Sequence, residues 1–408
     1  MKNFGWDFWR VFLPFLVVLG IIMFFPLWFT QKSWLGFFQL SIDESTSWMG
    51  DTFGGILGPY IAIVAAGLTF MAFWVQYKAN DEIRNQFKHE RFETKFYELL
   101  KLHKENVSEV DIDGKYRGRK SFVWMYKEFR FIYRLCKSYH DLIDSDRKIA
   151  GKKLMEYDDR KITELAYIIF FFGVGEISDK GIEYFTGDFD NDLIKKVLDR
   201  LKAHQEHVAQ LKKDEWTELE ENLFEEPEKY ILEVNFEPFD GHVSKLAHYF
   251  RHLYQAIKLA TTDSILDNID KSIEYKNRYE YVKLIRVQLS NHEQTLIYYN
   301  SFFTAGKIWW GDNTIEKKTV KNGVEYDLSY FLDYAMIKNL AYNLTDGIGP
   351  HPVREYFQRL LKRGYGVENE SERVELKNRI DNDLLEWGVK DDFFNQLVSE
   401  HKKDSASV

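Results

Sequence analysis

Two long stretches near the start of the chain, Val11 to Gln31 and Thr52 to Tyr77, contain no Asp, Glu, Lys, Arg or His. About 20 residues of helix cross a hydrocarbon layer about 30 Å thick, so each stretch predicts a transmembrane helix, with spans over 11–31 and 54–77. Phe25-Pro26-Leu27-Trp28-Phe29 reads as the aromatic end of the first, and no small-residue cleavage site follows it. Lys2 and Arg10 precede the first span, and Lys78, Arg84, Lys88, Arg91 and Lys95 follow the second. The connection between them offers Lys32 against Asp43, Glu44 and Asp51. Cations collect on the cytoplasmic side of membranes, so residues 1–77 are expected to form a hairpin with both chain termini in the cytoplasm.

Past Tyr77 the pattern changes. Ile83, Phe87, Phe92, Phe96, Leu99, Leu100 and Val107 recur at helical steps among charges, which predicts a helical stalk over 78–110. Asp113-Gly114 breaks it. Further helices are expected over 121–139, 161–174, 192–211, 241–260, 275–303 and 328–344. The uncharged run Leu165–Gly175 is too short to span a bilayer and reads as a buried core helix. Lys317–Tyr326, centred on Asn322-Gly323, predicts a β-hairpin. The fold expected is mostly α: the transmembrane hairpin and stalk, then a helical cytoplasmic domain over 111–345 with a small β-hairpin. A helical C-terminal extension over 346–408 ends in a disordered tail from Lys402.

Composition narrows the function. The 408 residues carry 55 Lys and Arg against 64 Asp and Glu, a net charge of −9, which argues against a general nucleic-acid coat. A single cysteine, Cys136, excludes an intramolecular disulfide and any cysteine-built zinc or iron–sulfur centre. Neither span carries a charge that would line an ion pathway.

Several motifs carry candidate chemistry. Gly54, Gly58, Ala62 and Ala66 fall every four residues, a ridge on which a neighbouring helix can pack closely, either the first span or a second copy. Gly173-Val174-Gly175 lacks both the Lys-Ser/Thr of a P-loop and the third glycine of a dinucleotide fingerprint. Asp188, Asp190 and Asp192 open like a calcium loop, but Leu193 occupies the turn-glycine position, so helix capping accounts for them better. His248 and His252 share a helical face without the glutamate of a zinc protease, so they are weak metal candidates and no cofactor is expected. Arg286 and His292 have the R-x5-H spacing of HEPN-type ribonucleases, with the arginine on phosphate charge and the histidine as acid or base. Ile285, Leu289, His292, Leu296, Tyr299 and Phe303 equally place His292 on a packing stripe. Lys115, Arg117, Arg119 and Lys120 crowd one loop, and Lys127, Arg130, Arg134 and Lys137 continue at helical spacing. Together they predict a cationic face for anionic headgroups or RNA.

Three stretches resemble the phage abortive infection proteins of bacteria grouped as putAbiC. The first runs from Gly50-Asp51-Thr52-Phe53-Gly54-Gly55 into the second span and ends at Ala72-Phe73-Trp74-Val75-Gln76. The second is Arg91 to Val107 (RFETKFYELLKLHKENV). The third runs from Tyr249-Phe250-Arg251-His252-Leu253-Tyr254 to Arg286-Val287-Gln288-Leu289-Ser290-Asn291 and Tyr299-Asn300. The resemblance implies a role in stopping an infected cell before phage spreads, and supplies no catalytic residue. The expectation is an effector in the bacterial inner membrane that acts by homo-oligomerisation and membrane perturbation. Lipids and a defence-system protein or phage-derived trigger would be its partners. A membrane-tethered endoribonuclease using Arg286 and His292, and a non-enzymatic scaffold for a separate toxin or sensor, are the alternatives.

Overall fold

The computed structural model describes residues 44–175, 179–211, 215–221, 230–312, 318–321 and 324–406, with positions 13, 14, 17, 20 and 21. It is mostly helical, and the chain divides into two compact units, Met1–Phe92 and Glu93–Val408.

Helix α1 is a single element of 66 residues, Glu44–Glu109, with Pro59 inside it. It contains an 18-residue window of mean hydropathy 1.7, none of which is buried. Among the described residues no other helix is long and apolar enough to cross a membrane. The expected first span, 11–31, lies almost wholly outside the described residues, so the hairpin remains an expectation. The helical pattern read for the stalk is borne out by the continuation of α1 to Glu109.

The unit from Glu93 onward is organised on helix α2, Arg119–Ile149. Phe122, Met125, Phe129, Ile132 and Cys136 recur at three- and four-residue steps, and all are buried on one face. Between α1 and α2 the strands β1 (Asp111–Ile112) and β2 (Tyr116–Arg117) form a short hairpin. Its turn uses positive φ at Asp113 and Gly114, where the sequence breaks the stalk. Helix α3, Asp159–Phe172, packs along α2, and every residue from Leu165 to Phe170 is buried, as the uncharged run implies. Asp158 caps it by accepting from Lys161 N at 2.9 Å. Helix α4 (Asp179–Phe185) and α5 (Asn191–Ala209) follow. Asp190 caps α5 by accepting from Asp192 N and Leu193 N at 3.0 and 3.2 Å, which is the capping role read from the aspartate run.

Gly173-Val174-Gly175 has a structural role. Gly173 and Gly241 sit at φ +81° and +85°, where two turns cross. A Cβ on either would lie 2.4 Å from the other turn's backbone, so only glycine fits. The crossing is pinned by Val174 N donating to Phe239 O and His242 N donating to Phe171 O, both at 2.9 Å.

Strands β3 (Thr217–Glu221) and β4 (Tyr230–Val234) pair antiparallel, from Thr217 opposite Val234 to Glu221 opposite Tyr230. Helices α6 (Val243–Thr262), α7 (Lys271–Arg286) and α8 (Asn291–Asn300) come next. The expected β-hairpin is present as β5 (Lys318–Lys321) and β6 (Val324–Asp327), with Lys321 opposite Val324. Helices α9 (Tyr330–Tyr334), α10 (Pro352–Lys362), α11 (Glu370–Asn378) and α12 (Asp391–Ala406) complete the chain.

Three expectations need correction. The helix read over 275–303 is two helices: the first ends at Arg286, and Ser290 caps the start of the second. The helix read over 328–344 is the short α9 and a 3-10 turn at Tyr342–Leu344, since Ala335 turns left-handed at φ +50° and its carbonyl is held by Arg286. The tail is helical as far as Ala406, and residues 407–408 lie outside the described residues.

Candidate functional site

The start of α8 gathers a cluster of connected buried polar groups. Ser290 and Glu293 form a reciprocal capping box: Glu293 N donates to Ser290 Oγ at 3.3 Å, and Glu293 Oε2 accepts from Ser290 N at 2.8 Å and Ser290 Oγ at 2.6 Å. Glu293 is 0% exposed, and its other oxygen accepts from the Tyr249 hydroxyl of α6 at 3.1 Å. Arg119, at the start of α2, places Nε 3.7 Å from Glu293 Oε2, while its Nη2 donates to Gln288 O at 2.5 Å.

Beneath this lies His103 of α1. Its ring centre is 5.1 Å from that of Tyr249, and it is 1% exposed. Neither ring nitrogen has a hydrogen-bond partner among the described residues. Burial, then His252 and Arg119, pull its pKa from 6.5 down to about 4, so it is a neutral imidazole at neutral pH. Burial, and then Glu293, raise the Tyr249 phenol well above its ordinary value. Three helices (α2, α6 and α8) thus meet on one carboxyl and its donors, and His103 of α1 packs against one of those donors, Tyr249. Three of these parts were legible as stretches without being recognised as a site. His103 belongs to the run from Arg91 to Val107, Tyr249 opens the run to Tyr254, and Ser290 lies in the run from Arg286 to Asn291. The Ser290-x-x-Glu293 spacing is itself a capping-box signature that a reading for helical periodicity passes over.

A second buried pair joins Glu128 and His242. Glu128 of α2 is 1% exposed, accepts from Phe239 N at 2.8 Å, and sits 3.2 Å from His242 Nε2. It fixes the turn that the two crossing glycines make. Sequence reading did not single out either residue. A third cluster joins His204 and Arg200 of α5 to Glu221 of β3. Burial works to raise the Glu221 pKa, but the His204 and Arg200 contacts outweigh it and leave it lowered.

Arg286 and His292 lie on different helices, separated by the break at 287–290. The Arg286 guanidinium is buried and donates to the Ala335 carbonyl at 2.8 Å and to the Tyr279 hydroxyl at 3.5 Å. His292 instead packs edge-on against Tyr126 of α2, with ring centres 5.5 Å apart. Burial and then nearby Lys127 lower its pKa. The arginine that was expected to meet phosphate is engaged with backbone.

Most of the cationic face is likewise engaged within the chain. Lys115 donates to Asn235 O, Arg117 Nε is 3.3 Å from Asp111, and Lys137 Nζ is 3.6 Å from Asp159. Lys127 lies 3.9 Å from the Trp124 ring centre, and Arg130 and Arg134 lie over the Tyr230 ring. Lys120 is exposed and has no partner among the described residues. His248 and His252 stack edge to face with centres 4.4 Å apart, and the described residues hold no group of three metal-ligating side chains around them. On the ridge of α1, a Cβ at Gly54 or Gly58 would meet nothing within 4 Å.

Residues 241–318 match the family model described as "Putative phage abortive infection protein", putAbiC. The resemblance read from the sequence is therefore borne out over that segment, which contains Tyr249, Arg286, Ser290 and Glu293. Neither the curated proteins nor the solved structures compared with the chain give a match.

Proposed function

We propose that this protein is a membrane-anchored effector of bacterial anti-phage defence, acting from the inner membrane by self-association that perturbs that membrane. The defence role rests on the family match over 241–318. The observation that carries the anchoring is the apolar window of α1, with mean hydropathy 1.7 and none of it buried by the rest of the protein. Ile61, Ile63, Phe70 and Phe73 are all more than 60% exposed there. Such a surface is tolerated in lipid or against another helix rather than in water. The Gly54, Gly58, Ala62 and Ala66 ridge supports the second step, because small residues let two helices approach closely in a bilayer. Lipids, further copies of the chain and a phage-derived or host trigger are its partners in this reading.

The test is a time course after infection of cells carrying the gene, with a potential-sensitive dye and total RNA read from the same samples. Early depolarisation with intact RNA is the expected result, and Gly58→Leu with Ala62→Leu should abolish it in a well-expressed protein. RNA cleavage before any depolarisation would overturn the membrane reading in favour of a tethered ribonuclease.

A further inference from the structure

Among the described residues, every buried threonine but one has its hydroxyl bonded to a backbone carbonyl. Thr163, Thr186, Thr261, Thr295 and Thr345 donate to the carbonyls of Asp159, Ile182, Ile257, Asn291 and Tyr342. Thr217, the first residue of β3, is 6% exposed, and its hydroxyl has no hydrogen-bond partner among them. A buried hydroxyl left unpaired costs free energy, so its place in the fold calls for an acceptor or donor from elsewhere.

Thr217 lines a cavity of 610 Å³, a size typical of small-molecule sites. The end of α5, the β1–β2 turn, the start of β3 and the chain leaving β4 border it. Asp113, Glu215 and Glu237 line it against one cation, Lys115, whose ammonium donates to the Asn235 carbonyl. One Asp113 oxygen accepts from Glu237 N at 2.8 Å, and neither carboxylate meets a cation among the described residues. The last turn of α5 adds the partial negative charge of a helix C-terminus. Leu211 and Phe236 supply apolar wall, and a ring face also attracts cations. The described residues hold no group of three Asp, Glu, His or Cys side chains that could hold a metal ion. The negative charge is therefore spread around the cavity, which suits a ligand whose positive centres are separated by apolar links.

We propose that this cavity binds a small organic polycation of the aliphatic polyamine class. Its ammonium groups meet Asp113 and Glu237, its methylenes lie against Leu211 and Phe236, and one N–H is accepted by the Thr217 hydroxyl. This goes beyond the effector reading and does not depend on it.

The test uses the full chain in neutral detergent, titrated calorimetrically with spermidine, magnesium chloride and inorganic phosphate at matched ionic strength. Saturable binding of spermidine is expected, with no saturable heat from magnesium or phosphate. Asp113→Asn with Glu237→Gln should weaken it about tenfold, the worth of two exposed charge pairs. Glu237→Gln alone, at an exposed position, should weaken it about threefold whatever Asp113→Asn does to the turn. Thr217→Val keeps the shape and removes the hydroxyl, so spermidine should bind it about threefold more weakly. Without ligand that variant should melt no lower than the wild type, because the group removed has no partner in the fold. A Thr217→Val protein that melts lower yet binds spermidine like the wild type would make the hydroxyl structural and overturn the proposal. So would the absence of saturable spermidine binding, or an affinity unchanged by Glu237→Gln. Magnesium or phosphate binding as tightly as spermidine would overturn it as well.

Discussion

Glu293 holds Ser290 from both sides, accepting from its backbone N–H at 2.8 Å and its hydroxyl at 2.6 Å while donating its own N–H back to that oxygen. The same carboxyl receives Tyr249 from α6 and faces Arg119 from α2, so a local cap is also a tertiary joint. The two roles separate by mutation. Ser290→Ala removes the cap and should cost about 1 kcal/mol. Glu293→Ala also strands the buried Tyr249 hydroxyl, so about 3 kcal/mol is expected. Urea denaturation of the detergent-solubilised chain, followed by tryptophan fluorescence, checks the ranking. Equal costs would mean that the joint contributes nothing beyond the cap.

His103 makes stability depend on pH in a definite direction. Its pKa falls from 6.5 in the unfolded chain to about 4 in the native one, so between those values the unfolded state binds more protons. Stability therefore drops as pH falls through 6.5 and stops dropping below about 4. From about pH 7.5 to about pH 5 the residue should remove about 2 kcal/mol. His103→Phe keeps an aromatic ring against Tyr249 and has no proton to bind. Its stability should therefore be flatter with pH than the wild type's by that amount, as measured by urea midpoints at several pH values. A parallel pH profile for both proteins would mean that His103 titrates normally.

The crossing of Gly173 and Gly241 predicts two intolerant positions. Each has a positive φ, and each lacks room for a methyl group, with a Cβ 2.4 Å from backbone. Gly173→Ala or Gly241→Ala should cost about 3 kcal/mol or more, because neither backbone can step aside. Gly187→Ala is the control, since nothing lies within 4 Å of its Cβ position. Thermal melting of the three variants should separate the first two from the third.

What the sequence made legible follows from where each signal resides. The apolar window of α1 and the buried α3 run are properties of contiguous residues, and both are present as expected. The Asp190 cap and the β5–β6 hairpin are equally local. The break at 287–290 was hidden because the apolar steps from Ile285 through Leu289 to Leu296 stay in phase across it. The cationic face was legible as composition, but its partners were not. Lys137 meets Asp159 and Arg119 meets Glu293 only once α2 packs on α3 and α8. His103 was legible only as a member of the Arg91–Val107 stretch, since an orphaned imidazole is defined by what surrounds it.

Loss of protection on substituting Arg286 has a structural cause to separate from a catalytic one. The guanidinium is buried and holds the carbonyl of Ala335, the left-handed residue that ends α9, while lying over the Tyr279 ring. Arg286→Ala removes a charged donor from that carbonyl, which keeps only Lys338 N at 3.1 Å, so it should cost about 2 kcal/mol whatever the protein's chemistry. His292 is half-buried, makes no hydrogen bond among the described residues, and touches Tyr126 only by its ring edge. His292→Ala should accordingly melt within about 1 kcal/mol of the wild type. The pair therefore has to be assayed with stability and RNA integrity together. If Arg286→Ala loses both protection and stability while His292→Ala keeps both, the arginine is structural and the R-x5-H spacing is coincidental. If His292→Ala melts normally but no longer protects, and infected cells keep intact RNA, the histidine serves protection without cleaving RNA. Loss of RNA cleavage in a normally folded His292→Ala protein would restore the ribonuclease reading.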